Sequence, residues 1–364
     1  MIASDISNLN GILPDSIIEN LYREGAITSQ RPLDDDQIQP ASLDLRLGKT
    51  AYRVRASFMP GPRLTVAEKL ERLKLHEIDL SSGAVLETGC VYIVPLQERF
   101  KLPADVTAAA NPKSSTGRLD IFTRVITDCA QEFDKVPAGY DGPLYMEVSP
   151  RTFPIVAHEG SRLSQIRFRR GHRPIGDAEL KQIHEAENLV PGSDVHILNG
   201  LTLSIDLRGN NGLVGYRGKR HTGVVDLEKR GYDVVDFWEP IPTHADEELV
   251  LDPDQFYILV SREAIHVPPA FAAEMVPFDP LVGEFRVHYA GFFDPGFGHS
   301  ATGGTGSRAV LEVRSHDVPF ILEHGQIIGR LAYEHMAIRS SVLYGQDIGS
   351  NYQAQGLKLS KHFR

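Results

Sequence analysis

Residues Asn111 to Asp120, reading NPKSSTGRLD, gather the densest set of groups able to do chemistry. Ser114 and Ser115 place two hydroxyls side by side, Thr116 and Gly117 follow, and the cations Lys113 and Arg118 flank them. An apolar alternating run precedes the stretch, and Ile121, Phe122, Val125 and Ile126 follow it, so it reads as a short turn between two strands. Such a turn offers backbone N–H groups, hydroxyls and a guanidinium in one place, the donors that a polyphosphate or a polarised catalytic water requires. A solvated hairpin turn draws on the same residue types. The stretch alone therefore does not decide between the two.

The chain around it has 364 residues, which predicts two domains of ordinary size. No apolar run is long enough to span a bilayer, and MIASDISNLNGILPDS has neither a basic leader nor an apolar signal core. Cys90 and Cys129 are the only cysteines, so no disulfide framework is expected, and a reducing, cytoplasmic compartment is. The net charge of −10 argues against a general nucleic-acid coat. It leaves room for an anionic small ligand, which needs only local positive charge.

Ser16-Ile17-Ile18-Glu19 has the spacing of a capping box, with Gly25 to close the helix behind it. In IQPASLDLRLG, Ile38 to Gly48, Leu43, Leu45 and Leu47 alternate with Asp44 and Arg46, as in a half-buried strand. Ala84 to Glu87, Cys90 to Pro95 and Asp105 to Ala110 predict further strands. Turn residues recur every ten or so positions, which predicts an all-β barrel or sandwich with a few short helices. From Gly171 the pattern turns polar, with a short helix capped at Asp177 and ending before Pro191.

The second half then repeats the first. YIVPLQERFKLP from Tyr92 has its counterpart in YILVSREAIHVP from Tyr257, an offset of 165 residues (257 − 92). Met146-Glu147-Val148 matches Leu311-Glu312-Val313, and Gly160 matches Gly325, at that same offset of 165. SLDLRLG also has an echo in SIDLRG, Ser204 to Gly209, slightly out of that register. At the constant offset Ser114 falls on Asp279 and Arg118 on Gly283, so the second copy lacks the hydroxyl and the guanidinium. It carries instead AGFFDPGFG, Ala290 to Gly298, and a glycine-rich GHSATGGTGS that leads into a strand and reads as a hairpin tip.

Taken in order, the N-terminal helix, IQPASLDLRLG, PKSSTGRLD, GYDGPLYMEV and GSRLSQIRF resemble the dCTP deaminase branch of the dUTPase-like superfamily. LYGQDIGSNYQAQGLKLSKHF resembles that family's nucleotide-closing tail, and the doubled chain its long, fused form. The resemblance implies two tandem dUTPase-like distorted β-barrels. Residues 1–172 would form the N-terminal barrel with the catalytic motifs, 173–195 a linker, and 196–364 a degenerate copy ending in the tail. It further implies self-association, as a homotrimer or a pseudo-hexameric assembly of barrels, with dTTP as an inhibitor.

Carried over position by position, Ser114 and Arg118 match the family's catalytic serine and arginine. Lys113, Ser114, Ser115, Thr116, Gly117 and Arg118 match its triphosphate-binding run. Glu147 matches the glutamate proton shuttle, with Leu144, Tyr145 and Met146 beside it as base-edge backbone. Tyr344 and Gln355 match tail residues that contact the nucleotide. The family's tail lysine falls on Asn351, and its sugar-contacting aspartate near Val136 or Pro137, with Asp134 or Asp128 as substitutes.

Deaminating cytosine needs water at C4, a proton on N3 and another on the departing ammonia. Zinc deaminases use a P-C-x-x-C signature, whereas Cys90 and Cys129 lie 39 residues apart (129 − 90). His288, His299, His316, His324 and His335 show no metal-ligand spacing either. A carboxylate that takes and returns a proton suffices. Glu147, on the apolar Leu144 to Val148, is the base this reading selects, with Ser114 orienting the water and Arg118 holding Ser114, Glu147 or a phosphate. Mg²⁺ enters as the partner of the triphosphate. Three other readings stand beside dCTP deamination: dUTP hydrolysis through Asp294, a bifunctional route from dCTP to dUMP, and a deoxynucleotide-binding regulator without turnover.

Overall fold

The computed structural model describes residues 10–192, 195–277, 285–288, 291–300, 304–315, 317–345 and 356–364. Asp279, Gly283, His316, Asn351 and Gln355 lie outside the described residues, as does the side chain of His288. The regular structure is mostly strand, with helices of 11 residues or fewer. It forms two compact units. One gathers Met1–His172, Gly223–Gly231 and Met336–Ser341; the other gathers Arg173–Thr222, Tyr232–His335 and Val342–Arg364.

In the first unit, one sheet orders Lys135–Val136, Val106–Pro112, Arg162–Arg170, Ser42–Arg46 and Ile38–Gln39, with Gly11–Ile12 added beside Arg162–Arg170. A second sheet orders Ile121–Thr127, Asp141–Pro150, Val91–Lys101, Thr50–Val54 and Lys74–Asp79, with Ile27–Ser29 beside Val91–Lys101. The NPKSSTGRLD stretch carries the chain from the first sheet to the second. Its centre is one turn of helix, Ser114–Gly117, and Asp120 closes it in the left-handed region at φ 56°. A corner this tight is the local reason for the small and hydroxyl residues there.

The second unit repeats the plan. A four-stranded sheet orders Leu201–Ser204, Ile327–His335, Phe271–Pro277 and Phe292–Phe293. A five-stranded one orders Trp238–Pro242, Leu213–Gly218, Tyr257–Ile265, Ser307–Ser315 and Phe285–His288. Strand pairing reproduces the duplication residue by residue. Glu147 lies opposite Ile93, and Glu312 opposite Ile258; Val156 pairs with Val85, and Ile321 with Val250. Both units are thus distorted barrels built on one register.

Four local expectations are corrected. The SIDLRG echo is not the strand equivalent of SLDLRLG. Arg46 pairs with Arg162 and Ser204 with Ile327, so Ser204 occupies the place of Arg46. The Ser16–Glu19 box does not form, because the helix Asp15–Arg23 begins two residues before the start that box requires, behind Pro14, whose side chain cannot cap. A full capping box instead opens Val66–Leu73, where Thr65 and Glu68 satisfy each other's backbone N–H groups. Asp177 is the first residue of Asp177–Glu187 rather than its cap. Its carboxylate accepts from the N–H groups of Asn199 and Gly200 at 2.8 and 2.9 Å. The stretch read as a linker also packs into the second unit, where Ile175, Leu180, Leu189 and Val190 join the core. Burying each such side chain contributes about 1.5–3 kcal/mol, which a solvated linker would forgo.

Candidate active site

Glu147 sits in the middle of Asp141–Pro150, a strand paired on both edges, and is 1% exposed. Every residue from Leu144 to Pro150 is buried, so both faces of the strand are covered and alternation cannot say which way Glu147 points. Across one edge it faces Ile93, and across the other Arg124. Tyr145 joins an apolar cluster with Val54, Phe58, Ile93 and Ile126, so the carboxylate lies at the margin of a low-dielectric core.

The cation at Glu147 is Arg124, and not Arg118. Arg124 donates from Nε at 3.0 Å and from Nη2 at 2.6 Å, both to Oε1 of Glu147. Nη2 also donates to Ser57 Oγ at 2.7 Å, and the guanidinium lies over the Phe133 ring, 3.6 Å from its centroid. Oε2 of Glu147 is buried and meets no hydrogen-bond partner among the described residues. Sequence reading passed over Arg124, although a lone charge inside the apolar run IFTRVIT was the signal for it.

Asp134 stands nearby, in the left-handed region at φ 60°, and its Oδ1 accepts from the Val125 N–H at 2.7 Å. Burial pushes its carboxyl up to about 7; the Val125 N–H and Arg124 oppose that rise, and the Glu147 charge adds to it. Asp128, the other candidate for a sugar contact, is occupied, since its Oδ1 accepts from the Val66 N–H at 2.8 Å, at the start of a helix. Met146 is fully buried, and Ser164 Oγ, itself 2.9 Å from Thr123 Oγ1, lies 3.9 Å from its sulfur. Burial also raises the Tyr145 hydroxyl above its usual range.

In the corner between the sheets, Ser114 is exposed, while Ser115, Thr116, Gly117 and Arg118 are buried. Lys113 is tied back to the barrel by an ion pair with Asp44, a residue 1% exposed that Arg162 also approaches at 3.5 Å. The turn's backbone is fixed by N–H bonds from Thr116 and Gly117 to the Lys113 carbonyl, at 2.8 and 3.0 Å. Tyr344 belongs to the second unit. There its ring packs on Phe297 at 5.6 Å, and its N–H donates to the Pro295 carbonyl at 2.9 Å. The structure therefore gathers Tyr145, Met146 and Glu147 with Arg124, and holds residues 113–118 as a separate, preformed corner of the same unit. Among the described residues no group of three or more His, Cys, Asp and Glu assembles to hold a metal.

Comparison with known proteins follows the two-unit division closely. The profile of the 2′-deoxycytidine 5′-triphosphate deaminase N-terminal domain matches residues 9–172, and that of the C-terminal domain matches residues 176–363. A crystal structure of 2′-deoxycytidine 5′-triphosphate deaminase from Agrobacterium tumefaciens is 67% identical, with a TM-score of 0.90 over 94% of this chain and 100% of that one. A "dCTP deaminase, dUMP-forming" from Dictyoglomus thermophilum is 30% identical over 196 residues, 53% of this chain and 93% of that protein. A "dCTP deaminase" from Actinobacillus succinogenes is 33% identical over 143 residues, 37% of this chain and 70% of that protein.

Proposed function

The chain belongs to the 2′-deoxycytidine 5′-triphosphate deaminase family, and from that premise we propose that it hydrolyses dCTP to dUTP and ammonia with Glu147 as the proton carrier. The observation that carries this mechanism is a carboxylate, 1% exposed, with one oxygen held by Arg124 and the other unpartnered among the described residues. Water attacks C4 of cytosine, and Glu147 takes its proton and delivers it to N3. The hydroxyl proton then passes through Glu147 to the amino nitrogen, the C4–N4 bond breaks, and ammonia leaves as the C4 carbonyl forms. One water supplies every atom gained, so the step balances without an oxidant. Ser114, exposed at the head of its turn, orients the water, and residues 113–118 border the phosphates. Arg118 braces that corner from within. Mg²⁺ bound to the triphosphate neutralises its charge. Tyr344 and Gln355 contact the nucleotide from the tail, and Tyr145 and Met146 border the base.

The product feeds thymine-nucleotide synthesis, which makes dTTP the natural inhibitor, and the barrels assemble as a trimer or pseudo-hexamer. The free Cys90 and Cys129 suit the reducing cytoplasm.

One observation favours a second assignment of the base. Glu312 holds the register of Glu147 in the second unit, is 6% exposed, and has His288 as its cross-strand neighbour where Glu147 has Arg124. Glu147→Gln and Glu312→Gln are therefore compared for ammonia release and for dCTP affinity. Glu147→Gln is expected to lower kcat at least ~10³-fold with dCTP still bound. Turnover that survives Glu147→Gln and vanishes in Glu312→Gln would move the proton carrier to the second unit.

A further inference from the structure

We propose that Arg124 is a positioning residue that divides the work of the two Glu147 oxygens, anchoring Oε1 so that Oε2 alone handles the travelling proton. The proposal rests on the reading of Glu147 as the proton carrier. Two guanidinium N–H groups converge on Oε1, from 3.0 and 2.6 Å. Charge-assisted bonds of this kind fix both the direction of a carboxylate and the plane in which its free lone pairs lie. Oε1 is thereby saturated with donors, while Oε2 keeps its acceptor capacity inside the protein.

The guanidinium is itself held from three sides. Phe133 lies against its face at 3.6 Å, Phe122 lies at 4.8 Å, and Ser57 Oγ accepts from Nη2 at 2.7 Å. Strand pairing then sets Arg124 directly opposite Glu147, so the pair's geometry comes from the sheet and not from a loop. An ion pair retained only for stability would gain by satisfying both carboxylate oxygens. Leaving one buried oxygen unmatched costs free energy and suits a group that must accept a proton from bound substrate.

The test compares Arg124→Met, Arg124→Lys and Glu147→Gln for kcat and KM with dCTP, alongside thermal midpoints and dCTP affinity. Misplacing a reacting group by about an ångström costs ~10²-fold in rate. Arg124→Met is therefore expected to lose about that factor in kcat, with KM within about threefold of wild type. Arg124→Lys, which keeps the charge but lacks the fork, is expected to recover part of the rate at a wild-type thermal midpoint. If Arg124→Met does not fold, Arg124→Lys alone decides. A kcat within about twofold of wild type in folded Arg124→Met or Arg124→Lys, with Glu147→Gln inactive, would overturn the inference and leave Glu147 as the base. Full turnover in Glu147→Gln would bring down both.

Discussion

Asp134 shows how the site's surroundings bear on stability as well as chemistry. Desolvation of this half-buried carboxyl pushes it up to about 7 from an ordinary value of 3.8. Between about pH 4 and about pH 7 the unfolded chain has released a proton that the folded chain still holds. Stability therefore declines as pH rises through that window and levels off above it. Asp134→Asn keeps an acceptor for the Val125 N–H and removes the titration. Its urea midpoint is expected to exceed that of wild type at pH 8 and to match it near pH 4. An equal difference at both pH values would show that burial of this carboxyl is not the cause. At this scale motif order and resemblance single out Glu147 and residues 113–118, and the structure buries the first and folds Ser114–Gly117 into one turn of helix. The partner of Glu147 stayed hidden for a physical reason: alternation sorts the two faces of a half-buried strand, and Leu144 to Pro150 offers no exposed face to sort. The ion pair of Lys113 with Asp44 was equally hidden, since a cation beside hydroxyls announces nothing of a carboxylate 69 residues away.

Among the elements, the strand Ser42–Arg46 is held to Val91–Lys101 by a fully buried ion pair. Arg46 Nε donates to Glu98 Oε1 at 2.8 Å, the Arg46 N–H donates to Oε2 at 2.9 Å, and Gln37 adds a bond at 2.8 Å. The guanidinium's other nitrogens reach the carbonyls of Pro32 and Arg31 at 2.9 and 3.0 Å. The second unit keeps the glutamate and changes its partner: the Ser204 N–H donates to Glu263 Oε2 at 2.8 Å, with the Ser204 hydroxyl beside it. What both copies require is thus a carboxylate that receives a strand N–H, and the charge beneath it is particular to the first. Glu98→Gln, which strands the buried guanidinium, is expected to destabilise the protein by about 3 kcal/mol in urea unfolding. A change under about 0.5 kcal/mol would mean that the remaining acceptors satisfy Arg46 without the carboxylate. Strands were legible from their alternating runs, whereas caps were not. Ser16-x-x-Glu19 and Thr65-x-x-Glu68 have the same spacing, but behind Pro14 the first helix starts two residues ahead of its box. In the first helix Asp15 faces outward from the cap, and its carboxylate accepts from the Ser340 hydroxyl at 2.8 Å and the Ser341 N–H at 3.0 Å.

For the whole molecule, the duplication fixes what each copy must be and where the copies part. The constant offset survives as strand register through the edge strands as well as the centre, so the duplication could be read from the repeated phrases. The chain's return could not. Gly223–Gly231 and Met336–Ser341 come from the second half and pack in the first unit, where Val225 is fully buried and its N–H donates to the Pro154 carbonyl at 3.0 Å. His158 Nε2 meets Asp226 Oδ1 at 2.9 Å in the same strap. No local pattern announces such a crossing, because a two-residue strand carries almost no periodicity. Divergence between the copies is clearest at Pro137 and Asp294. Val136 pairs with Ala108 and Phe293 with Ala273, so the residue after each marks one position, and only the second copy has a carboxylate there.

The central claim is tested most directly by incubating the purified protein with dCTP and Mg²⁺ and measuring ammonia, dUTP, dUMP and pyrophosphate together. Ammonia and dUTP are expected in equal amounts, without pyrophosphate, and both should be lost in Glu147→Gln. Bound dCTP with none of the four products released would contradict the account and make the chain a nucleotide-binding regulator. Ammonia released together with dUMP and pyrophosphate would contradict its single-step form.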